Sequence, residues 1–113
     1  MTNKMPKEWE IWRARFDFSD GKGCKHSPVL LLGERKGNLL VTLVTDATDG
    51  QTLEHDCPIR DWRTAGLKKP SVARVDRIAE VPADCLEPES RMGKLSSVDA
   101  NTVSLALVDA LRK

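Results

Sequence analysis

Apolar and polar residues alternate with a period near two in several stretches of the chain, a pattern typical of half-buried β-strands. Residues 8–18, EWEIWRARFDF, place Ile11, Phe16 and Phe18 between polar neighbours. The alternation shifts at Trp12, which predicts either a β-bulge or an indole that faces a ligand or partner. A first strand over these residues is therefore expected, and SDGKG ends it with turn-forming residues.

Two apolar runs farther along the chain predict a central hairpin. Residues 28–34 form a fully apolar strand that begins at Pro28, where a missing amide donor costs little. The sequence ERKGN predicts a tight connection to a second strand, residues 39–47, which is rich in β-branched side chains. After a turn at TDGQ, residues 52–59 predict a shorter, more polar strand that suits a sheet edge.

The second half of the chain predicts one helical turn and one further strand. In residues 60–67, RDWRTAGL, Asp61 is placed to cap the turn and Gly66 to end it. Residues 71–81, SVARVDRIAEV, alternate again and are expected to form the last strand.

The C-terminal residues predict an amphipathic helix that packs on the sheet. Ser96 and Asp99 form a capping box, and apolar side chains follow at helical spacing at Ala100, Val103, Leu107 and Leu111. About five short strands, short connections and this one helix predict a mainly β fold, a small and strongly curved antiparallel barrel.

Length and charge limit the functions to consider. The 113 residues suit a single domain over 1–113, in which 1–7 are expected to be a flexible N-terminus. Eighteen basic residues against seventeen acidic ones give a net charge of +1, so a globally basic nucleic-acid-binding or membrane-surface protein is excluded. The sequence has neither a membrane-length apolar run nor a signal peptide, which predicts a cytoplasmic protein with no membrane partner.

The cysteines and histidines predict no metal site and no cofactor. Cys24, Cys57 and Cys85 are widely spaced and odd in number, so reduced thiols are expected. His26 and His55 are equally isolated, without the close pairs that metal sites require.

Four stretches together resemble the PemK/MazF family of toxins: EIWRARFDFSDGKG, SPVLLL, AGLKKPSVARVDRIAEV and RMGKLSSVDANTV. The resemblance spans roughly residues 8–111. It implies the SH3-like antiparallel β-barrel of the CcdB/MazF toxin type with a C-terminal helix, and a homodimer. It also implies RNA binding, DNA binding and the activity of a hydrolase that cleaves single-stranded RNA without metal through the 2′-hydroxyl. A cognate antitoxin is implied as well, with an extended segment that occupies the RNA groove.

The resemblance also implies site residues. Family members carry an arginine immediately before the strand proline; here that proline is Pro28 and the preceding residue is Ser27. One neutral hydroxyl cannot reproduce the bidentate, charged grip of arginine on phosphate. The family's threonine corresponds to Thr45, with Thr48 as the alternative alignment. His26 lies beside Ser27, and a histidine side chain, with its near-neutral unperturbed pKa, is suited to acid or base chemistry. His26, Ser27 and Thr45 are therefore the predicted catalytic residues.

The predicted RNA-binding residues are Lys22 and Lys25 in the glycine loop, Trp12 as a stacking platform and Arg74 as a phosphate ligand. Each has a purely structural alternative, as solvated loop charge, core residue or surface partner. Because Ser27 replaces the arginine, three functions stay open. They are an active endoribonuclease with a displaced site, a catalytically degenerate protein that binds RNA or an antitoxin without cleavage, and an inhibitor of a protein target.

Overall fold

A computed structural model describes residues 7–17, 24–46 and 56–111. These residues form six strands, a short 3₁₀ turn at Ala83–Cys85 and one helix. The strands are β1 (Glu10–Asp17), β2 (Cys24–Arg35), β3 (Asn38–Asp46), β4 (Asp56–Ile59), β5 (Ser71–Val81) and β6 (Leu86–Lys94), and the helix is α1 (Ser97–Leu111).

All strands belong to one antiparallel sheet in the order β4-β5-β3-β2-β1-β6. The sheet curls into a half-barrel and carries α1 at its C-terminal end, which confirms the predicted mainly β barrel. The short strand β4 lies at one edge, as its polar sequence predicted. Among the described residues, α1 has neither the length nor the apolar content of a membrane-spanning helix.

The β2–β3 connection is the tight turn that ERKGN predicted. Lys36 and Gly37 are its two central residues and both have positive φ, 51° and 83°. Two residues with positive φ make the hairpin turn whose twist matches that of the flanking strands.

The predicted start of β2 at Pro28 is wrong, because the strand begins at Cys24. Residues 24–27 pair with β1, whereas pairing with β3 begins only at Val29. Pro28 therefore lies inside β2, opposite Arg13, on the stretch of β2 that has a strand neighbour on one side only. A proline is tolerated there because one of its two flanks needs no amide donor.

Both faces of the sheet are covered by apolar side chains. Ile11 and Leu30 belong to the cluster that packs against α1, whereas Trp12 and Val29 belong to a cluster on the opposite face. Burial on both faces explains why adjacent residues of β1 are apolar. The β1–β6 register shifts on either side of Trp12, which confirms the bulge that the broken alternation predicted.

The prediction that residues 71–81 form the last strand is wrong, because β6 follows and pairs with β1. Its sequence, LEPESRMGK, contains Pro88 and lacks regular apolar alternation. Such a sequence is acceptable at the sheet's other edge, where β6 has a single strand neighbour and an irregular register.

Residues 60–67 form a turn that ends as predicted. The N–H of Leu67 donates to Trp62 O at 2.9 Å, the N–H of Gly66 donates to Arg63 O at 3.0 Å, and Gly66 has a φ of +87°. These are the two bonds and the left-handed glycine of a Schellman termination. Trp62 packs against the core beneath the turn.

The expected cap of this turn by Asp61 is replaced by a contact with α1. The carboxylate of Asp99 accepts the backbone N–H groups of Arg60 and Asp61 at 2.9 and 2.8 Å. The predicted capping of α1 is confirmed in part, because Ser96 Oγ accepts the Asp99 N–H at 3.2 Å. Val103 is fully buried against the sheet, which confirms the predicted packing of the helix.

Candidate functional site

A cavity of about 650 Å³ opens where β1, β2 and β3 meet β6 and the segment that leads into β5. This volume lies within the range of about 300 to 1,000 Å³ that ligand sites occupy. Its walls are formed by Arg13, Ser27, Pro28, Val44, Thr45, Gly66, Leu67, Lys68, Lys69, Ser71, Glu87, Ser90 and Met92.

The lining of the cavity is rich in cations and hydroxyl groups. Its positive side chains are Arg13, Lys68 and Lys69, and its one carboxylate is Glu87. Four hydroxyl-bearing residues accompany them: Ser27, Thr45, Ser71 and Ser90. Excess positive charge beside neutral hydroxyl donors is suited to an anion with several oxygen atoms, such as a phosphodiester.

The structure brings two of the predicted catalytic residues together. Ser27 lies opposite Ala14 in the β1–β2 ladder and is only 7% exposed, whereas Thr45 lies opposite Val72 in the β3–β5 ladder and is half-buried. Both line the same cavity although they belong to different strands.

Arg74, a predicted RNA ligand, contacts one of these residues directly. Its Nε–H donates to Thr45 Oγ1 at 3.1 Å, and its carbonyl accepts the hydroxyl of buried Thr42. Because Thr45 Oγ1 accepts this charged hydrogen bond, its own proton is available to a ligand in the cavity. Arg74 is not among the residues that line the cavity, so its described contact with the site runs through Thr45, and its assignment as an RNA ligand is still a prediction.

The prediction that Trp12 stacks on RNA bases is corrected by its position. The side chain is only 7% exposed and lies in the core cluster opposite α1. Its indole N–H donates to Glu10 Oε1 at 3.0 Å. Trp12 therefore has no open ring face, and the shift in alternation that singled it out reflects the bulge in β1.

The carboxylate that holds Trp12 also fastens β1 to β6. Glu10 accepts the Lys7 N–H at 2.7 Å and the Arg91 Nε–H at 2.6 Å. Burial acts to raise the pKa of Glu10, but these hydrogen bonds, that of Trp12 and the charge of Arg91 outweigh it and lower the pKa.

The remaining predicted residues are only partly described. The backbones of Lys25 and His26 lie in β2, opposite Phe16 and Arg15, so they occupy a strand rather than the predicted glycine loop. Their side chains lie outside the described part of the structure, as do Lys22 and the alternative Thr48. The sequence-based assignments of these residues are therefore still predictions.

Sequence reasoning missed four charged residues of the cavity: Arg13, Lys68, Lys69 and Glu87. The two lysines belong to the GLKKPSV stretch that carried the family resemblance, which was a usable signal. The sequence signal for Arg13 was weaker: it depends on pairing β1 with β2, which places Arg13 opposite Pro28. Glu87 lies in β6, the strand that the sequence did not predict.

One wall of the cavity is fixed by direct contact between two backbone segments. A Cβ on Gly66 would lie 1.9 Å from Met92 O, and a Cβ on Gly93 would lie 2.3 Å from Ala65 O. Only glycine permits this approach of the turn to β6. Asp99 of α1 holds the other end of the same turn.

The described cysteines form no bond with each other. Cys57 is buried and Cys85 partly exposed, and both are free thiols. Burial, together with the negative charge of Asp99, raises the pKa of the Cys57 thiol. Among the described residues, no three His, Cys, Asp or Glu side chains come together as a metal-binding group.

Comparison with known proteins identifies the fold. No family model matches the chain, and no curated protein matches it in sequence. The Mycobacterium tuberculosis toxin MazF-mt6 superposes with a TM-score of 0.69 at 22% identity, covering 91% of this chain and 96% of its own. An endoribonuclease from a mycobacterial species superposes with a TM-score of 0.70 at 15% identity, covering 99% of this chain and 96% of its own. A chain of the MazE-MazF structure from Deinococcus radiodurans superposes with a TM-score of 0.68 at 15% identity, covering 96% of this chain and 97% of its own. The chain has the MazF-like toxin fold.

Proposed function

We propose that this chain, which has the MazF-like fold, is a toxin that cleaves single-stranded RNA in the cavity between β1, β2 and β3. The observation that carries the proposal is the meeting of Ser27 and Thr45, from two different strands, in one cation-lined cavity. Similar solved structures include a MazF toxin and an endoribonuclease, which supports the same activity here.

The proposed reaction uses the substrate's own 2′-hydroxyl as nucleophile. A base takes the 2′-hydroxyl proton, the oxygen attacks the adjacent phosphorus, and the bond from phosphorus to the 5′-oxygen breaks as an acid protonates that oxygen. The products are a 2′,3′-cyclic phosphate and a 5′-hydroxyl end. Negative charge grows on the non-bridging oxygens during attack, so hydrogen-bond donors aimed at them accelerate the step.

Residues of the cavity supply several of these functions. The hydroxyls of Thr45 and Ser27 donate to non-bridging oxygens, and Arg74 keeps the Thr45 oxygen engaged so that its proton points to the ligand. Lys68 and Lys69 attract the RNA backbone. His26 is proposed as the acid or base on its position beside Ser27, with Lys22 and Lys25 as further phosphate ligands.

The test is incubation of the purified protein with a long single-stranded RNA in EDTA, followed by analysis of the fragment ends. Discrete cuts that leave cyclic phosphate and 5′-hydroxyl ends are expected. A DNA strand of the same sequence lacks the 2′-hydroxyl and should stay intact. RNA that stays intact would refute the nuclease proposal, and ends bearing 5′-phosphate would refute the mechanism.

A second candidate function rests on Ser27. Because this hydroxyl replaces the arginine that the family resemblance implies, the cavity could bind RNA or a partner without cleaving it. This candidate predicts salt-sensitive RNA binding with no fragments in the same assay.

We also propose an antitoxin and a second copy of the chain as protein partners. The cation-lined cavity would accept an extended acidic segment of the antitoxin in place of RNA, and one similar structure is of MazE-MazF. A homodimer would cover apolar side chains that α1 leaves more than half exposed, namely Val98, Leu105 and Val108. Both the RNA and the antitoxin would be met in the cytoplasm.

A further inference from the structure

Arg13 is the only arginine among the described residues that line the cavity. It lies in the middle of β1, directly opposite Pro28, and its neighbour Ala14 lies opposite Ser27. Arg13 is therefore the diagonal neighbour of Ser27 in the β1–β2 ladder, and both residues line the cavity.

The backbone of Arg13 is held firmly from β6. Its N–H donates to Ser90 Oγ at 3.2 Å. The single hydroxyl proton of Ser90 has two carbonyl acceptors within reach, Glu87 O at 2.7 Å and Arg13 O at 3.1 Å. The side chain itself is exposed, and its guanidinium pairs with no side chain in the described part of the chain. The planar donors of a guanidinium that no described side chain engages are available to a ligand in the cavity.

The chemistry of the cavity leaves a role for such a group. Ser27 offers one neutral donor, and a lysine is a compact point charge without a fixed donor geometry. A guanidinium presents a planar fork of donors that matches two oxygens of one phosphate. Of the described cavity side chains, Arg13 alone has that geometry.

We propose that Arg13 is the guanidinium that binds the scissile phosphate, supplying from β1 the charged fork that Ser27 on β2 cannot supply. The inference rests on the proposed function. Arg13 takes no proton in the step: the 2′-hydroxyl proton goes to the base, the 5′-oxygen receives its proton from the acid, and the guanidinium stabilises the charge on the non-bridging oxygens.

The cleavage test compares Arg13→Ala and Arg13→Lys with the wild type and with Arg35→Ala. Arg35 is exposed at the end of β2, outside the cavity, so its variant controls for the loss of one positive charge. We expect Arg13→Ala to lower kcat/KM for RNA by about 100-fold or more, because a donor to the transition-state charge is lost. Arg13→Lys should stay at least about tenfold below the wild type, since it restores charge without the fork.

A binding assay keeps the two proposals distinguishable. A 2′-O-methyl oligonucleotide cannot be cleaved through its 2′-oxygen, so its affinity reports phosphate binding alone. Arg13→Ala should weaken its binding and lower the slope of log affinity against log salt by about 0.7, the value for one lost phosphate contact on a single strand. Arg35→Ala should change neither quantity.

The outcomes separate as follows. If the wild type cleaves, and Arg13→Ala cleaves and binds as the wild type does, the assignment of Arg13 is overturned while the proposed function stands. If the wild type binds the oligonucleotide without cleaving RNA, the nuclease proposal fails, and the salt slope alone decides whether Arg13 binds phosphate. If the wild type does neither, both proposals fall. Equal melting temperatures of wild type and variants establish that the fold is intact.

Discussion

Arg74 and Thr45 form a hydrogen bond across the β3–β5 ladder, with the Arg74 Nε–H 3.1 Å from Thr45 Oγ1. The sequence predicted Arg74 as an RNA ligand and Thr45 as a catalytic residue, and the structure places the two in direct contact. The bond restrains the hydroxyl of Thr45, a residue that lines the cavity.

The Arg74→Ala variant should therefore reduce RNA cleavage without removing it. Loss of the Nε donor lets the Thr45 hydroxyl rotate, and we expect kcat to fall by about tenfold, which corresponds to about 1.4 kcal/mol. The measurement is single-turnover cleavage of a fixed RNA, with Arg35→Ala as the matched surface control. A variant that loses only RNA affinity, with kcat unchanged, would instead make Arg74 a direct phosphate ligand.

The close approach of Gly66 and Gly93 predicts a severe loss of stability when either gains a side chain. Gly66→Ala combines a positive φ with a Cβ 1.9 Å from a carbonyl oxygen, so a cost on the order of 3 kcal/mol is expected. Gly93→Ala should behave similarly, because its Cβ would meet the backbone of Ala65. Urea unfolding midpoints measure both effects.

Gly33→Ala is the matched control for these two variants. Gly33 lies in β2, and a Cβ there would meet nothing within 4 Å. Its unfolding free energy should stay within about 1 kcal/mol of the wild type. If all three glycine variants were equally stable, the turn and β6 would not be in the contact described.

Asp99 predicts a link between α1 and the stability of the turn. Asp99 is 2% exposed, and its carboxylate accepts the N–H groups of Arg60 and Asp61. Asp99→Ala leaves both donors without their acceptor, at a cost of about 1 to 3 kcal/mol for each such group that stays buried. Asp109→Ala, on an exposed position of the same helix, should change the melting temperature little. Equal losses for the two variants would contradict the role given to Asp99.

Glu10 predicts a contribution to stability that depends on pH. Its folded-state pKa lies below the ordinary glutamate value, so the ionised form stabilises the native state. That stabilisation is fully present above the ordinary pKa, about 4.3, and is lost as pH falls through the folded-state pKa.

The check is urea unfolding of the wild type, Glu10→Gln and Glu8→Gln at neutral and acidic pH. Glu10→Gln should be less stable than the wild type at neutral pH, and the difference should shrink in acid as the wild-type carboxylate is protonated. Glu8 is an exposed neighbour, and its variant should follow the wild type at both pH values. A Glu10→Gln difference that grew in acid would reverse the sign of the pKa shift.

The strands with a strong local signal were predictable from the sequence. The apolar run that contains Leu30, the turn at Lys36 and Gly37, and the alternation of residues 71–81 each fixed an element within a few residues. By contrast, β6 was not predicted, because an edge strand beside a bulge needs no regular apolar pattern. Alternation of apolar and polar residues indicates a strand with one buried face, so it does not detect a strand whose pairing is irregular.

The site was predictable only in part, for a related reason. Ser27 and Thr45 follow from the family resemblance, and the structure brings them together. Arg13 and Glu87 join them only through the pairing of β1 with β2 and β6, which no local pattern encodes. The sequence could not show that Trp12 is buried, because a buried aromatic residue at a bulge has the same sequence pattern as an exposed one.

The measurement that tests the central claim most directly is RNA cleavage by Thr45→Val beside the wild type and Thr102→Val. Valine keeps the shape and β-propensity of Thr45 but removes the hydroxyl that lines the cavity, whereas Thr102 lies exposed on α1. We expect wild type and Thr102→Val to cut the same sites at equal rates, and Thr45→Val to cut about 100-fold more slowly. Cleavage by Thr45→Val at the wild-type rate and sites would contradict a ribonuclease centre in this cavity.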